Sequence, residues 1–152
     1  MTVRAIVTLT RRGALLLALA APSVARAQAA PRVEVWKDRY CGCCNGWIVH
    51  MRRAGFSVAA QNMTHMPAVK RAQAVPEALW SCHTARVGDY VLEGHVPPAD
   101  VRRLLAEHLA AKGLAVPGMP ASAPGMDMEG EAYEVILFGL AGDAQRVFAR
   151  HG

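Results

Sequence analysis

Three of the four cysteines of this 152-residue chain lie within four positions, at Cys41, Cys43 and Cys44, and the fourth is Cys82. Thiolates are soft ligands that suit Cu(I), zinc and iron–sulfur clusters. A four-cysteine zinc site normally takes two separated pairs, whereas three of these sulfurs are crowded. Crowded thiolates can bridge several metal ions. The pattern therefore predicts a copper site, with Cu(I) favoured, in which the sulfurs form a multinuclear cluster.

Two other chemistries remain open for the same cysteines. An even number of cysteines in an exported chain fits structural disulfides. At most one clustered cysteine can pair with Cys82, however, and the other two would then be adjacent or nearly adjacent, which strains a disulfide. Cys41 and Cys44 also have the two-residue spacing of a thiol–disulfide oxidoreductase, although Cys43 would compete in exchange.

Imidazole and thioether groups extend the predicted donor set. His83 directly follows the fourth cysteine, and His95 closes the same predicted hairpin. Met119 lies in a loop with two further methionines, although methionine is also a common core filler. Copper accepts imidazole, and Cu(I) accepts thioether. The predicted metal ligands are Cys41, Cys43, Cys44, Cys82, His83, His95 and Met119.

The first 29 residues have the features of a secretory signal peptide. Basic residues precede a short apolar run at 13–21, and small-x-small patterns follow at 25–29. The apolar run is too short to span a bilayer as a mature helix. The pair Arg11-Arg12 fits either general secretion or twin-arginine export. We predict export to the periplasm, a mature domain over 30–152 and no membrane span after cleavage.

The signal peptide accounts for most of the apparent basicity. It holds four of the 17 basic residues and no acidic one, so the remaining 13 nearly balance the 12 acids. No basic stripe with interleaved aromatic residues is visible. These observations argue against a nucleic-acid partner.

The elements predicted around the cysteines place the cluster between a strand and a helix. The predicted order is strand 33–36, helix 44–54, strand 56–60, short helix 66–74, hairpin 83–87 and 90–92, helix 98–111, extended loop 114–130 and hairpin 133–140 and 146–149. This order predicts an α/β, thioredoxin-like fold, a central mixed β-sheet flanked by helices with an extra C-terminal β-hairpin. At a helix start, free N–H groups and the helix dipole stabilise thiolates.

Several short segments between 33 and 150 match one known family. They are VWKD at 35–38, CGCC at 41–44, Trp47, SCHT at 81–84, EGHVP at 93–97, VPGMP at 116–120 and PGM at 124–126. On these segments the chain resembles the CopG family of bacterial copper-resistance proteins, once described only as a domain of unknown function. The resemblance implies a periplasmic, thioredoxin-like protein that binds copper in a cysteine-bridged cluster, with its cysteines at Cys41, Cys43, Cys44 and Cys82. It also implies a role in copper resistance, and redox interconversion of copper has been suggested for the family.

The sequence therefore favours a periplasmic copper-binding protein that sequesters, delivers or redox-cycles copper. Its predicted partners are copper ions and other periplasmic copper-handling proteins. A metal-binding role is favoured over an enzymatic one. The enzyme alternative is a thiol–disulfide oxidoreductase that uses Cys41 and Cys44, and the third reading is a binding module with two inert disulfides.

Overall fold

The computed structural model describes residues 29–152. The predicted signal peptide lies outside this part of the chain except for Ala29, so its presence stays a prediction. No helix in the described part is both long and apolar enough to cross a bilayer.

Seven strands and three α-helices make up the regular structure of the described residues. In chain order they are β1 (Arg32–Asp38), α1 (Gly42–Arg53), β2 (Ser57–Met63), α2 (Met66–Ala72), β3 (His83–Val87), β4 (Tyr90–Glu93), α3 (Pro98–Glu107), β5 (Gly113–Ala115), β6 (Tyr133–Phe138) and β7 (Arg146–His151). Single 3-10 turns lie at Glu77–Leu79 and Ala141–Asp143.

All seven strands form one open mixed sheet in the order β2-β1-β3-β4-β5-β6-β7. The pairs β1/β2 and β4/β5 are parallel, and the other neighbours are antiparallel. The α/β class and the mixed sheet are confirmed, and the C-terminal hairpin β6/β7 extends the sheet. The register of β1 and β3 places Lys37, near the end of β1, opposite His83, the first residue of β3.

Two hydrophobic clusters pack against the two faces of the sheet. Adjacent strand residues alternate between them, with Leu92 in the larger cluster and Val91 in the smaller, because successive side chains point to opposite faces. The larger cluster contains the buried sides of α1 and α3, including Trp47. The cysteine-bearing start of α1 is therefore held against the sheet by a fully buried helix face.

Helix α1 ends at Arg53, one residue before the predicted end at 54. Gly55 has a φ of +87°, and its N–H donates to the carbonyl of Arg52 at 2.9 Å. The N–H of Phe56 donates to the carbonyl of Met51 at 3.1 Å, which completes a Schellman motif. The chain then turns directly into β2, which runs parallel to β1.

Two sequence predictions about the second half of the chain were wrong. Helix α3 ends at Glu107 rather than at 111, because His108 adopts a left-handed conformation with φ +48°. The apolar spacing continues past it because Leu109 and Ala111 pack on the core without being helical. The segment 114–130 is also not loop throughout, since its first residues belong to the buried strand β5.

Candidate metal centre

A tight turn carries the chain from β1 into the cysteine motif. The carboxylate of Asp38 accepts a hydrogen bond from the N–H of Tyr40 at 2.8 Å, and its carbonyl accepts one from Cys41 at 3.2 Å. Cys41 is the N-cap of α1, no side chain caps the helix, and its first turn has no acidic residue. The first N–H groups of α1 therefore have no side-chain acceptor at the end of the helix that carries the cysteines.

The four sulfur atoms meet at this helix start. All four Sγ atoms, those of Cys41, Cys43, Cys44 and Cys82, lie within 4.8 Å of one another. Cys41 and Cys44 form a disulfide with a Cα–Cα distance of 5.4 Å, an ordinary separation for such a bond. Cys43 and Cys82 are free thiols, and the Cys43 sulfur lies 3.5 Å from that of Cys41. The Cys41–Cys44 disulfide, one of the possibilities that the spacing allowed, is thus present, while Cys43 and Cys82 are reduced.

Two imidazoles approach the Cys82 sulfur from the β3/β4 hairpin. The Nδ1 of His83 lies 3.3 Å from this sulfur, and the Nε2 of His95 lies 2.9 Å from it. The Nδ1 of His95 lies 2.8 Å from the carbonyl oxygen of Pro124. Because a carbonyl only accepts hydrogen bonds, this contact assigns the proton to Nδ1 and leaves the lone pair of Nε2 directed at the sulfur.

Burial keeps these donors uncharged at neutral pH. It raises the pKa of the Cys82 thiol from 9.0 to about 12, with a smaller contribution from Cys43. It lowers the pKa of His83 well below 6.5 and that of His95 in the same direction. Neutral imidazoles keep a lone pair for a metal, whereas the thiol must release its proton when a metal binds.

His83 is one of three fully buried predicted donors, with Cys44 and His95. Its ring lies 4.5 Å from that of Trp47, and within residues 29–152 its Nε2 has no hydrogen-bond partner. Trp47 is itself fixed, since its Nε1 donates to the carbonyl of Val96 at 2.8 Å. A buried ring nitrogen without a hydrogen-bond partner is costly, and this one is free to bind a further group.

A buried ion pair that the sequence did not reveal supports the backbone beside Cys82. Lys70 donates to a carboxylate oxygen of Glu93 at 2.5 Å, and both side chains are almost completely buried. The same carboxylate accepts from the N–H of Ser81 at 2.7 Å and from the hydroxyl of Thr84 at 2.6 Å. Burial raises the pKa of Glu93 although Lys70 opposes the shift. These bonds hold the chain on both sides of the Cys82-His83 pair.

The loop after β5 packs against the start of α1. A Cβ added to Gly46 would lie 2.8 Å from the carbonyl oxygen of Gly125, and one added to Gly125 would lie 2.7 Å from that of Cys43. A hydrogen bond between the Nε2 of His50 and the carboxylate of Asp127, 2.9 Å long, spans the same junction. His50 is only partly exposed and contacts this loop.

Met119 occupies a different position from the other predicted ligands. Its side chain is 57% exposed. The neighbouring Gly118 forms an isolated parallel bridge with Ser81, which precedes Cys82. The structure thus brings six predicted donors together and leaves Met119 at the surface beside them. The six donors form two groups that share Cys82: one consists of the four cysteines, and the other of Cys82, His83 and His95.

The fold and the site define a class: an α/β protein with a mixed seven-stranded sheet and a thiol- and imidazole-rich site of the soft-metal type. Residues 79–126 match a family described as proteins of unknown function, DUF411. No curated protein matches the chain significantly.

Two solved structures match nearly the whole described part. One, titled copper resistance protein CopG form 2, is 36% identical over 81% of this chain and 99% of its own, with a TM-score of 0.76. The other, titled copper resistance protein CopG form 1, is 38% identical over 80% of this chain and 98% of its own, with a TM-score of 0.75. The chain belongs to the CopG family of copper-resistance proteins.

Proposed function

We propose that this protein binds copper as Cu(I) in a cluster bridged by its cysteines, in the service of copper resistance. The observation that carries the proposal is the convergence of four Sγ atoms within 4.8 Å of one another. Thiolates at such distances can bridge neighbouring Cu(I) ions, and soft sulfur selects Cu(I) over hard cations. The names of the two similar structures support copper as the cargo.

The observed disulfide makes copper binding depend on reduction. With Cys41 and Cys44 joined, only Cys43 and Cys82 offer thiols to a metal. Reduction of the bond by two electrons and two protons restores four thiols, and binding of Cu(I) then releases their protons to solvent. We therefore propose that the reduced protein is the form that loads the full cluster.

The histidines are proposed as additional ligands on the Cys82 side. The lone pair of His95 is already directed at this sulfur, and His83 stays neutral because it is buried. Met119 is proposed as a peripheral thioether ligand, which its exposed side chain would have to approach from the surface.

Features of the sequence support a periplasmic setting for this function. We propose that residues 1–29 export the chain to the periplasm, where 30–152 act as the mature copper-binding domain and hand copper to or from other periplasmic copper proteins. The part from β1 to α3 is proposed to be a thioredoxin-like unit, supported by its strand–helix order and by the cysteine motif between β1 and α1.

Metal counting after anaerobic loading tests the proposal. The reduced protein is incubated with excess Cu(I), desalted and assayed for copper and sulfur by elemental analysis. We expect more than one copper per chain and a loss of at least half of the binding in Cys43→Ser/Cys44→Ser. Less than one copper per chain, or a variant that binds as much as the parent, would contradict it.

One observation favours a second function, thiol–disulfide exchange. The Cys41–Cys44 bond lies at a helix start, and the Cys43 thiol is 3.5 Å from the Cys41 sulfur. In this function a substrate dithiol is oxidised as the bond is reduced to two thiols. Turnover in an insulin or glutathione assay without copper would support it, and no turnover would remove it.

A further inference from the structure

One buried carboxylate joins the two segments that carry Cys82 and His95. Glu93 lies two residues before His95 and is fully buried. Its Oε1 accepts from the N–H of Ser81 at 2.7 Å, and its Oε2 accepts from the hydroxyl of Thr84 at 2.6 Å. These two donors stand on either side of Cys82 in the chain. The carboxylate thus holds the segment of Cys82 to the strand that leads to His95.

The two segments approach each other too closely for a side chain to lie between them. Gly94 has a φ of +72°, and a Cβ built on it would overlap the side chain of Ser81. The N–H of Gly94 donates to the carbonyl of His83 at 2.9 Å. Beside this contact, the Nε2 of His95 lies 2.9 Å from the Cys82 sulfur. The backbone and the carboxylate together therefore determine where this sulfur meets the imidazole.

Lys70 supplies the charge that the buried carboxylate needs. From α2 it donates to the Oε1 of Glu93 at 2.5 Å and to the hydroxyl of Thr84 at 3.2 Å. Replacing both members of a buried ion pair by apolar residues of similar size is often neutral or stabilising. Stability alone is thus a weak reason for this pair, whereas apolar contacts cannot replace the hydrogen bonds to the Cys82 segment.

We propose that Glu93 is a positioning residue that holds the Cys82 sulfur against His95 and so preorganises the hairpin side of the copper site. The proposal deepens the proposed copper function and rests on it for its metal readout, since Glu93 itself holds no metal. Replacing groups that orient metal ligands from outside typically changes metal affinity about 10–100-fold. The role belongs to the hydrogen bonds of the carboxylate rather than to its charge.

Two double variants separate the hydrogen bonds from the charge. In Lys70→Met/Glu93→Gln the pair is uncharged, but the amide oxygen can accept from Ser81 and the amide nitrogen can donate to the Thr84 hydroxyl. Lys70→Met/Glu93→Leu is equally uncharged and offers neither bond. Urea denaturation establishes that both are folded under the assay conditions. Thr84→Val, which removes one hydrogen bond and keeps the ion pair, takes the place of the leucine variant if that variant does not fold.

The first readout is the nitrogen-15 resonance of the His95 Nε2 in oxidised, metal-free protein at neutral pH. This resonance reports the contact with Cys82, and Cys82→Ala gives its value without the sulfur. We expect the leucine variant to move at least halfway toward the Cys82→Ala value, because its Cys82 segment is no longer held. The glutamine variant should keep the parental value. An ion pair that merely stabilises the fold would leave the resonance unchanged in both variants.

The second readout is the affinity of the reduced protein for Cu(I), measured in competition with a chromophoric chelator. The leucine variant should bind about tenfold more weakly, and the glutamine variant should bind as tightly as the parent. Arg71→Met/Glu77→Leu is the matched control, since it removes an exposed ion pair, 3.1 Å long, that begins on the same helix. The control should have the parental resonance and the parental affinity.

A leucine variant with the parental resonance overturns the proposal. A glutamine variant that moves as far as the leucine variant also overturns it, since the charge would then be the cause. If the parent protein binds no Cu(I), the proposed copper function fails, and the resonance of His95 alone then decides the role of Glu93.

Discussion

The two walls of the cysteine site differ in how the chain builds them. On one wall, Cys41, Cys43 and Cys44 come from a single turn at the start of α1. The opposite wall, by contrast, combines Cys82 at the entry of β3 with His95 after β4, and it depends on Pro124 in a distant loop for the orientation of that histidine. One wall is local in sequence, and the other exists only when the sheet and the loop are in place.

The walls also differ in chemistry. The helix wall holds the disulfide and can switch between a bonded and a dithiol state. The hairpin wall has no disulfide and is buried, with neutral imidazoles beside a protonated thiol. The comparison indicates that reduction raises the number of free thiols on the helix wall from one to three, while the hairpin wall presents the same donors in both states.

The largest expected effect comes from removing the sulfur that belongs to both donor groupings. Cys82→Ser should lose more than half of the bound Cu(I), because it takes a sulfur from the cysteine group and the common member from the histidine group. Copper is counted per chain after anaerobic loading. Cys43→Ser is the matched single substitution on the helix wall, and a Cys82→Ser protein that keeps the parental stoichiometry would refute a shared role of the two walls.

The two walls meet where the loop after β5 packs against the start of α1, and one added methyl group there should lower the stability of the protein. Gly125→Ala places a Cβ against the backbone of Trp47 and 2.7 Å from the carbonyl oxygen of Cys43, at a φ of +91°. We expect a loss of about 2–4 kcal/mol in the free energy of unfolding, from steric overlap and backbone strain together. Urea denaturation measures it. Gly42→Ala is the control, since a Cβ there meets no atom within 4 Å; equal stability of the two variants would mean that the loop does not dock.

Acid should lower the stability of the folded protein through the two buried histidines of the hairpin wall. The pKa values of His83 and His95 are lowered in the folded protein, so the unfolded chain binds more protons as the pH falls below 6.5. The free energy of unfolding should therefore fall toward pH 5, by up to about 1.4 kcal/mol per pH unit for each histidine. It is measured by urea denaturation of metal-free protein across this range.

His83→Leu should reduce the loss of stability toward acid pH more than any change at His95, because the pKa of His83 is lowered well below 6.5. Glu93, whose raised pKa acts in the opposite direction, contributes equally to parent and variant and cancels in their difference. His108→Asn removes an exposed histidine at the end of α3 and serves as the control. A His83→Leu protein with the parental slope would show that this imidazole is not held neutral by the fold.

The smallest effect is expected at the exposed hydrogen bond between His50 and Asp127, which joins α1 to the loop after β5. Asp127→Asn should cost less than about 1 kcal/mol, because both partners are partly exposed and screened by solvent. The hydrogen bond from His50 lowers the pKa of Asp127, so this contribution is present above pH 3.8 and disappears as the carboxylate is protonated at lower pH. Glu107→Gln, which breaks an exposed pair with Arg103, is the control. A much larger loss for Asp127→Asn would mean that the contact with His50, rather than the close packing of the glycines, holds the loop against α1.

The sequence was most informative where structure is local. The cysteine spacing, the glycine that ends α1 and the hairpin turn at Gly88 all depend on neighbours in the chain, and their predicted positions agree with the structure. Strand β5 was missed because it is three residues long, buried on both faces and paired in parallel with β4, so it has no alternation to detect.

The partners of single side chains could not be predicted. Lys70 and Glu93 lie far apart in the sequence, and nothing in their local patterns distinguishes a buried pair from two surface charges. The predicted end of α3 was wrong for a related reason. Leu109 keeps the helical spacing because it packs on the core, whereas the helix itself has already ended, with His108 as its C-cap. Tertiary contacts decide these cases, and a single sequence does not contain them.

The antiparallel register that pairs Lys37 with His83 has a consequence for assembly of the protein. A slip of β3 by one residue would turn His83 to the opposite face of the sheet and bring Thr84 under Trp47, because side chains alternate along a strand. The same slip would displace Cys82 from the other three sulfurs. A misassembled chain would thus lack the convergence of the four sulfurs, so the proposed Cu(I) binding, measured after refolding, would report whether the strands are correctly aligned.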